Sequence, residues 1–408
     1  MTNWPLTKIG DIADVKGGKR LPKGMLVQNE ETGYRYIRVT DFTQSGIDVK
    51  KIKYITKEAH EKTARYVISD DDVYVSIAGT IGLVGIIPKE LNNANLTENA
   101  AKICNISTSM HSRFLMYFLR SEYGQGLISA QTVGTSQPKL ALFRIKDIEV
   151  PKPSLITQER IVSYLSAYDN LIENNNRRIA ILEDMAQSLY HEWFVKFRFP
   201  GHENVKFKDS PLGQIPEGWE VKAATDVIEF APKMSLPKDG EKPFVAMPSI
   251  STSSMIIGDI EMRTGNSGTK FKNGDTLMAR ITPCLQNGKV GFVQHLDEEN
   301  PIGFGSTEFI VMRSKGLTPE FVYCLARSDS FRANAINSMA GADGRQRVKN
   351  DCFKSYYLAV PPKDILDQFS ALAEPAFKEI FTLSQKNKNL KRQRDMLLPK
   401  LISGAIDV

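Results

Sequence analysis

Two stretches of this 408-residue chain place residues at alternating steps of four and three. The first runs Ile161, Leu165, Tyr168, Ile172, Asn175, Ile179, Leu182, Ala186, Leu189, Trp193. The second runs Phe369, Ala373, Ala376, Ile380, Leu383, Asn387, Leu390, Arg394, Leu397, Leu401. Such spacing lines one stripe of an α-helix and, sustained over several heptads, predicts a coiled-coil seam. Ser154 or Thr157 is placed to cap the first helix and Asp364 the second. Phe199-Pro200-Gly201 is expected to stop the first helix. In the second, Pro375 is expected to kink the early turns or mark the start of the regular helix. Pro399 is expected to end or bend the last turn, which makes Leu401 the weakest seam position, and Gly404 can complete the stop.

The register carries a sharper inference. Asn175 stands four residues before the next seam position, which makes it a d residue; Asn387 stands three before, which makes it an a residue. Parallel helices pair a with a and would set each amide against an apolar side chain. Antiparallel helices pair a with d, so Asn175 faces Asn387, and a buried polar pair fixes register at a cost in stability. The same alignment gives Ile179–Leu383, Ile172–Leu390, Leu165–Leu397, Leu182–Ile380, Ile161–Leu401 and Trp193–Phe369. It also sets Arg394 against Tyr168 as a cation–π layer. The plain alternative is a solvated flaw in each of two unrelated helices. At ~1.5 Å per residue each seam extends roughly 50 Å, more than one duplex turn of about 34 Å, so the pair is expected to act as a ruler.

Outside the helices the pattern shortens to β-type runs, and it occurs twice. Tyr34-Arg35-Tyr36-Ile37-Arg38-Val39, Asp72-Val73-Tyr74-Val75-Ser76-Ile77 and Val84-Gly85-Ile86-Ile87-Pro88 precede a short helix over residues 113–120. Pro243 to Met247, Asp275 to Arg280, Lys289 to Val293 and a helix over 319–327 follow in the same order. Trp4-Pro5-Leu6 opens the first half and Pro216-Glu217-Gly218-Trp219 the second, while Val150-Pro151 and Val360-Pro361 lead into the helices at a period of about 210 residues. That period is too long for a solenoid. The expected fold is α+β: two globular domains, each followed by a long helix, the helices pairing as an antiparallel coiled coil in a pseudo-two-fold arrangement. The boundaries fall at 1–150, 151–200, 201–360 and 361–408.

Composition narrows the function. No apolar run approaches the ~18–20 residues of a membrane span, and the N-terminus lacks the pattern of a signal peptide. A cytoplasmic protein without membrane association is expected. Cys104, Cys284, Cys324 and Cys352 form no C-x-x-C pair, and the five histidines show no ligand spacing, so no metal is expected. A net charge of +6 and a pI near 8.9 are compatible with nucleic acid. The chain has no phosphate-binding loop, nucleophile elbow or zinc-protease motif. Gly303-Phe304-Gly305 reads as a loop and Asp70-Asp71-Asp72 as a turn. Val360-Pro361-Pro362-Lys363 lacks the amide and aromatic that an adenine methyltransferase needs around a flipped base.

Basic, amide-bearing loops recur in both halves. The first half offers Lys19, Arg20 and Lys23, then Thr135, Ser136, Gln137 and Lys139; the second offers Arg280, Gln286 and Lys289, then Arg345, Gln346, Arg347 and Lys349. Gly lets backbone approach a phosphate, Lys and Arg neutralise it, and Arg and Gln can read guanine and adenine. Each loop alone reads as a solvated surface turn; their recurrence at matching places in the two halves shifts the reading toward DNA contact. Lys386, Lys388, Lys391, Arg392 and Arg394 add a basic stretch to the second helix, either a solvated face or one turned to DNA or a partner.

Several motifs resemble the specificity subunit of Type I restriction–modification systems across essentially the whole chain. They are Trp4-Pro5-Leu6 with Ile9-Gly10-Asp11-Ile12, Gly134-Thr135-Ser136-Gln137, Gln158-Glu159-Arg160-Ile161, Trp193-Phe194, the restart Pro211-Leu212-Gly213 to Trp219, and the ending Leu397-Leu398-Pro399-Lys400-Leu401. Trp219 to Ala224 departs from the expected opening of the second domain. The resemblance implies two target recognition domains, each reading half of a bipartite, asymmetric site in double-stranded DNA. It also implies helical spacers that set the gap and dock two modification subunits. Those subunits would carry S-adenosylmethionine and methylate adenine N6, and restriction subunits would join them; this chain would bind no cofactor and be non-catalytic. The alternatives are a self-contained DNA-modifying enzyme, against which the missing motifs weigh, and a coiled-coil scaffold without DNA affinity.

Overall fold

The computed structural model describes residues 4–43, 46–134, 138–342 and 344–408. The chain divides into two compact units, residues 1–171 with 389–408, and residues 172–388. In the first unit β1 (Leu6–Lys8) pairs antiparallel with β10 (Glu149–Pro151). One four-stranded antiparallel sheet runs β2 (Asp14–Gly17), β9 (Ala100–Cys104), β6 (Val73–Ser76), β7 (Val84–Ile86). A second runs β4 (Lys53–Tyr54), β3 (Arg35–Ile37), β8 (Ala94–Leu96), β5 (Val67–Ile68), with β3 and β8 parallel. The run at Val73 alternates in sequence, yet all four residues of β6 are buried. Val73 and Val75 pack with Phe114 beneath helix α1 (Ser112–Arg120), while Tyr74 points into the core of the other sheet with Ile37 and Phe42. A strand covered on both faces loses its polar side.

The second unit repeats this plan strand for strand. Its sheets run β14 (Ile228–Phe230), β21 (Phe309–Ser314), β18 (Thr276–Ala279), β19 (Val290–Phe292), and β16 (Ile260–Thr264), β15 (Glu241–Val245), β20 (Gly303–Gly305), β17 (Thr269–Phe271), again with the β15–β20 pair parallel. β13 (Glu220–Ala223) pairs with β22 (Tyr357–Val360) as β1 does with β10, and a hairpin, β11 (Phe207–Ser210) and β12 (Gly213–Pro216), precedes it. The departing sequence after Trp219 therefore still builds the same opening. Ala224 is buried where Ile9 is, and its N–H bonds Tyr356 O at 2.8 Å as Ile9 N–H bonds Ile148 O at 3.0 Å. Gly303-Phe304-Gly305, read as a loop, is instead the buried strand β20; a Cβ on Gly303 would lie 2.5 Å from the Phe271 ring, so the glycine admits close packing rather than a phosphate. The turn at Asp72 is real: Ser69 N–H donates to its carboxylate at 2.9 Å, and Lys102 pairs with it at 3.3 Å. Asp275 repeats the turn with Lys272 and pairs with Arg313 at 2.7 Å.

In each unit two short helices, α1 with α2 (Glu122–Ala130) and α4 (Pro319–Arg327) with α5 (Asp329–Asn337), lie between the sheets and the long helices in sequence. The long helices are α3 (Leu155–Tyr190, 36 residues) and α6 (Lys363–Ser403, 41 residues). All twenty seam positions are buried or half-buried. In the second unit Asn175 Nδ2 donates to Asn387 Oδ1 at 2.9 Å, and Trp193 meets Phe369 at 6.2 Å between ring centroids. Residue numbers rise on one helix as they fall on the other, so the pairing is antiparallel in the expected register. Asn176, outside the seam, accepts from Asn387 Nδ2 at 2.8 Å. In the first unit the helices also run antiparallel, with Arg160 Nη1 donating to Val408 O at 3.1 Å and Arg394 pairing with Asp169 at 2.6 Å.

Several local expectations fail for physical reasons. Arg394 does not form the expected layer with Tyr168; its guanidinium binds Asp169, which also accepts from the Tyr117 hydroxyl at 2.6 Å, because a carboxylate outcompetes a ring face for a cation. Pro375 and Pro399 do not interrupt α6. Both are exposed, as are Ala371 and Asp395 four residues before them, so water can satisfy the carbonyls that lose a donor. Leu401 and Ile402 anchor the last turn in the first unit's core. Gly404 then stops the helix at φ 72°, where a Cβ would lie 2.9 Å from the Trp4 ring. Ser154 caps α3 as expected, accepting from Thr157 N–H at 3.2 Å. Asp364 does not cap α6: the carbonyl of Pro362 receives the first N–H groups, and Asp364 lies inside the first turn. α3 ends at Tyr190 and widens into a π turn over His191–Val195, before the expected Phe199-Pro200-Gly201. There Phe194 packs on Phe321 and Phe369 at 4.7 and 4.9 Å, and Phe197 and Phe199 close on Trp219 at 5.1 and 5.4 Å.

Candidate nucleic-acid interface

Loops far apart in sequence converge at one edge of each unit, and backbone hydrogen bonds hold them there. In the first unit Gly18 N–H donates to Ala100 O at 2.9 Å and Lys19 N–H to Leu96 O at 2.8 Å. The approach is so close that a Cβ on Gly18 would lie 2.1 Å from Thr97 O. Asn99 O accepts from Ile77 N–H at 2.8 Å, and Ile77 O accepts from Leu140 N–H at 3.0 Å. Lys139 bridges both Ala78 and Val133. The segment bearing Lys19 and Arg20 is thereby tied through the sheet end to the segment bearing Lys139. Lys19, Arg20, Lys23 and Lys139 are exposed; Thr135, Ser136 and Gln137 lie outside the described residues. Lys19 Nζ sits 5.6 Å from the Tyr66 ring centroid, and Arg20 pairs with Glu98 at 2.6 Å.

The second unit builds the same edge. Arg280 N–H donates to Glu308 O at 2.9 Å, Arg280 O accepts from Val348 N–H at 2.9 Å, and Arg347 bridges both Ile281 and Ala340. Arg280, Gln346 and Arg347 are thus brought together. The Arg347 fork grips Glu308, with Nε at 2.9 Å and Nη2 at 2.7 Å from Oε1. That hydrogen bond, working against partial burial, holds the Glu308 carboxyl below its usual range, with Arg280 adding a weaker pull. Two expected contacts are committed to the protein itself. Lys289 Nζ donates to Met247 O at 2.8 Å, and Arg280 Nη2 to Val348 O at 3.0 Å, leaving Arg280 Nε buried without a partner among the described residues. Gln286, Arg345 and Lys349 are exposed, and Gln286 stands apart on the turn that follows Thr282. On α6 the side chains of Lys386, Lys388, Lys391 and Arg392 are exposed, while Arg394 is bound to Asp169.

Glu98 and Glu308 were not singled out by sequence, although a signal existed: each follows a threonine, Thr97-Glu98 and Thr307-Glu308, at the 210-residue period of the duplication. Thr282 gave no such signal, because its role is set by the loop that folds onto it.

A family model described as the Type I restriction modification DNA specificity domain matches residues 1–184. The chain is 24% identical, over all of its own length and 94% of the other, to the Methanocaldococcus jannaschii protein named Type I restriction enzyme MjaIX specificity subunit. It is 23% identical to the MjaVIII specificity subunit of the same organism, over 100% of this chain and 93% of that one. Among solved structures, that of a Type-I restriction-modification system S subunit from M. genitalium superposes with a TM-score of 0.58 at 16% identity, covering 98% of this chain and 96% of that one, which is a likeness of fold.

Proposed function

We infer that this chain, which belongs to the family of Type I restriction–modification specificity subunits, selects the DNA sequence on which such a system acts. The observation that carries the reading is the duplicated edge: two units of identical strand order each bring a basic loop and a second segment to the same sheet end. A duplicated reader suits a bipartite site, one half per unit. The chain is the recognition component of a complex with DNA and other subunits, and catalysis lies elsewhere. Two modification subunits would hold S-adenosylmethionine and methylate adenine N6, with restriction subunits joining them in the cytoplasm. The helix pair would set the number of base pairs between the half-sites. Among the described residues no helix is long and apolar enough to cross a membrane.

The test is an N6-methyladenine map of host DNA with and without this chain, its partner subunits remaining expressed. Loss of one bipartite motif is expected; an unchanged map overturns the reading. Exchanging residues 1–150 for those of another family member should alter one half-site only, and a change in both would contradict the assignment of one unit to each half.

A further inference from the structure

Gln346 is mounted differently from every other candidate at the second edge. The loop that bears it is closed at its base, where Ala340 and Arg347 exchange both backbone hydrogen bonds at 3.0 and 2.9 Å. Gln346 is then gripped from outside the loop. Thr282 N–H donates to Gln346 O at 3.0 Å, and Gln346 N–H donates to Thr282 Oγ1 at 3.1 Å. Both backbone groups are committed, and the half-buried side-chain amide makes no hydrogen bond among the described residues. Its neighbours are otherwise engaged: Arg347 with Glu308, Arg280 with Val348, Lys289 with Met247. Gln286 also carries a free amide, but neither of its backbone groups is held among the described residues. Arg345 follows Gly344, which has φ 76°, and is exposed, a placement suited to phosphate attraction.

A fixed backbone matters because reading a base edge requires a donor and an acceptor held in one plane at set positions. The glutamine amide offers that pair, and adenine alone presents the matching N6–H donor and N7 acceptor in the major groove; guanine presents two acceptors there. We propose that Gln346 is a specificity-determining residue that reads one A·T pair in the half-site contacted by the second unit, with Thr282 as its positioning residue. The proposal rests on the DNA-recognition reading above.

The experiment uses the full chain co-expressed with its modification subunits and maps N6-methyladenine across the host genome. Gln346→Ala should relax one position in one half-site, with discrimination there falling by roughly 5- to 150-fold, while the other half-site is unchanged. Gln346→Glu should shift that position toward C·G, since a carboxylate accepts from cytosine N4. Thr282→Val, which removes the acceptor for Gln346 N–H, should relax the same position, and Thr282→Ser should retain it. A motif unaltered at every position in Gln346→Ala, or a uniform fall in methylation without relaxation, overturns the proposal. So does relaxation in the half-site that exchange of residues 1–150 assigns to the first unit. The wild-type map separates the two claims, because absence of any bipartite motif there counts against recognition itself.

Discussion

Asn387→Leu tests whether the buried amide pair fixes the helix register. In the second unit the substitution removes the Oδ1 that accepts from Asn175 Nδ2 and the Nδ2 that donates to Asn176. Asn176 is exposed and turns to water, but Asn175 is only 8% exposed and its amide is stranded. A buried polar group left unpaired costs about 1–3 kcal/mol, so the single variant should lose that much, and Asn175→Leu should lose a comparable amount by leaving the Asn387 Oδ1 without its donor, although Asn387 Nδ2 keeps its bond to Asn176. The double variant strands nothing in the seam and adds two apolar side chains, so it should unfold at or above the wild-type urea midpoint, as apolar replacement of a buried polar pair often does. The expected coupling is the two single losses together, about 2–6 kcal/mol in favour of the double variant, read from urea unfolding followed by circular dichroism. If the double variant instead loses the sum of the two singles, the amides do not act on each other and the polar-pair argument for register fails.

His295 supplies a pH signature. Burial lowers its pKa from 6.5 to about 4, and its Nε2 has no partner among the described residues. The imidazole is neutral in the fold, so the unfolded chain binds the extra proton between those values, and stability falls as pH drops through 6.5 toward 4. By linkage, wild type should lose about 2 kcal/mol more between pH 7 and pH 5 than His295→Phe, measured by urea unfolding at both pH values; equal losses would remove the histidine as the cause. Glu308→Gln should free Arg347. Because Arg347 holds the Glu308 carboxyl below its usual range, the pair persists to acid pH, and only removal of the carboxylate releases the guanidinium near neutrality. Binding to a non-cognate duplex should then tighten at low salt, with a log–log salt slope steeper by about one, in anisotropy titrations from 50 to 200 mM salt; an unchanged slope would mean that Arg347 does not reach phosphate.

What was legible in the sequence was periodic or repeated. A four–three pattern over ten positions leaves one stripe of each helix to bury, and two asparagines at complementary heptad positions leave one orientation in which neither faces apolar carbon. The strand order was legible as an echo, Val73 with Thr276 and Val84 with Val290, because duplicated sheets need the same buried positions even where identities drift, as from Ile9 to Ala224. Single-residue outcomes were less legible because they depend on neighbours brought in from afar. Arg394 was assigned to Tyr168 by register, yet Asp169, the residue next to that tyrosine, offers a full charge, and the side chain is long enough to choose it. Pro375 and Pro399 look like breaks in one dimension; in three they lie on the solvent side of a helix whose other side is held by the seam.

The interface shows the same division more sharply. Sequence pointed to cations because charge is visible without a fold, and four of those placed in the structure, Arg20, Arg280, Lys289 and Arg347, are tied to groups of the protein itself. A cation already bonded to a carboxylate contributes less to indiscriminate phosphate binding than a free one, since the carboxylate both occupies its donors and repels the phosphate. The Thr-Glu step places such a carboxylate at both edges, paired with Arg20 in one unit and with Arg347 in the other. Two different arginines, from loops that do not correspond, have found the carboxylate at the repeated position. The repeated feature is therefore the anion, and the cation that meets it is free to vary. If DNA lies against this edge as proposed, an acidic group kept there would weaken non-specific attraction more than base contacts, and so would raise the ratio between them.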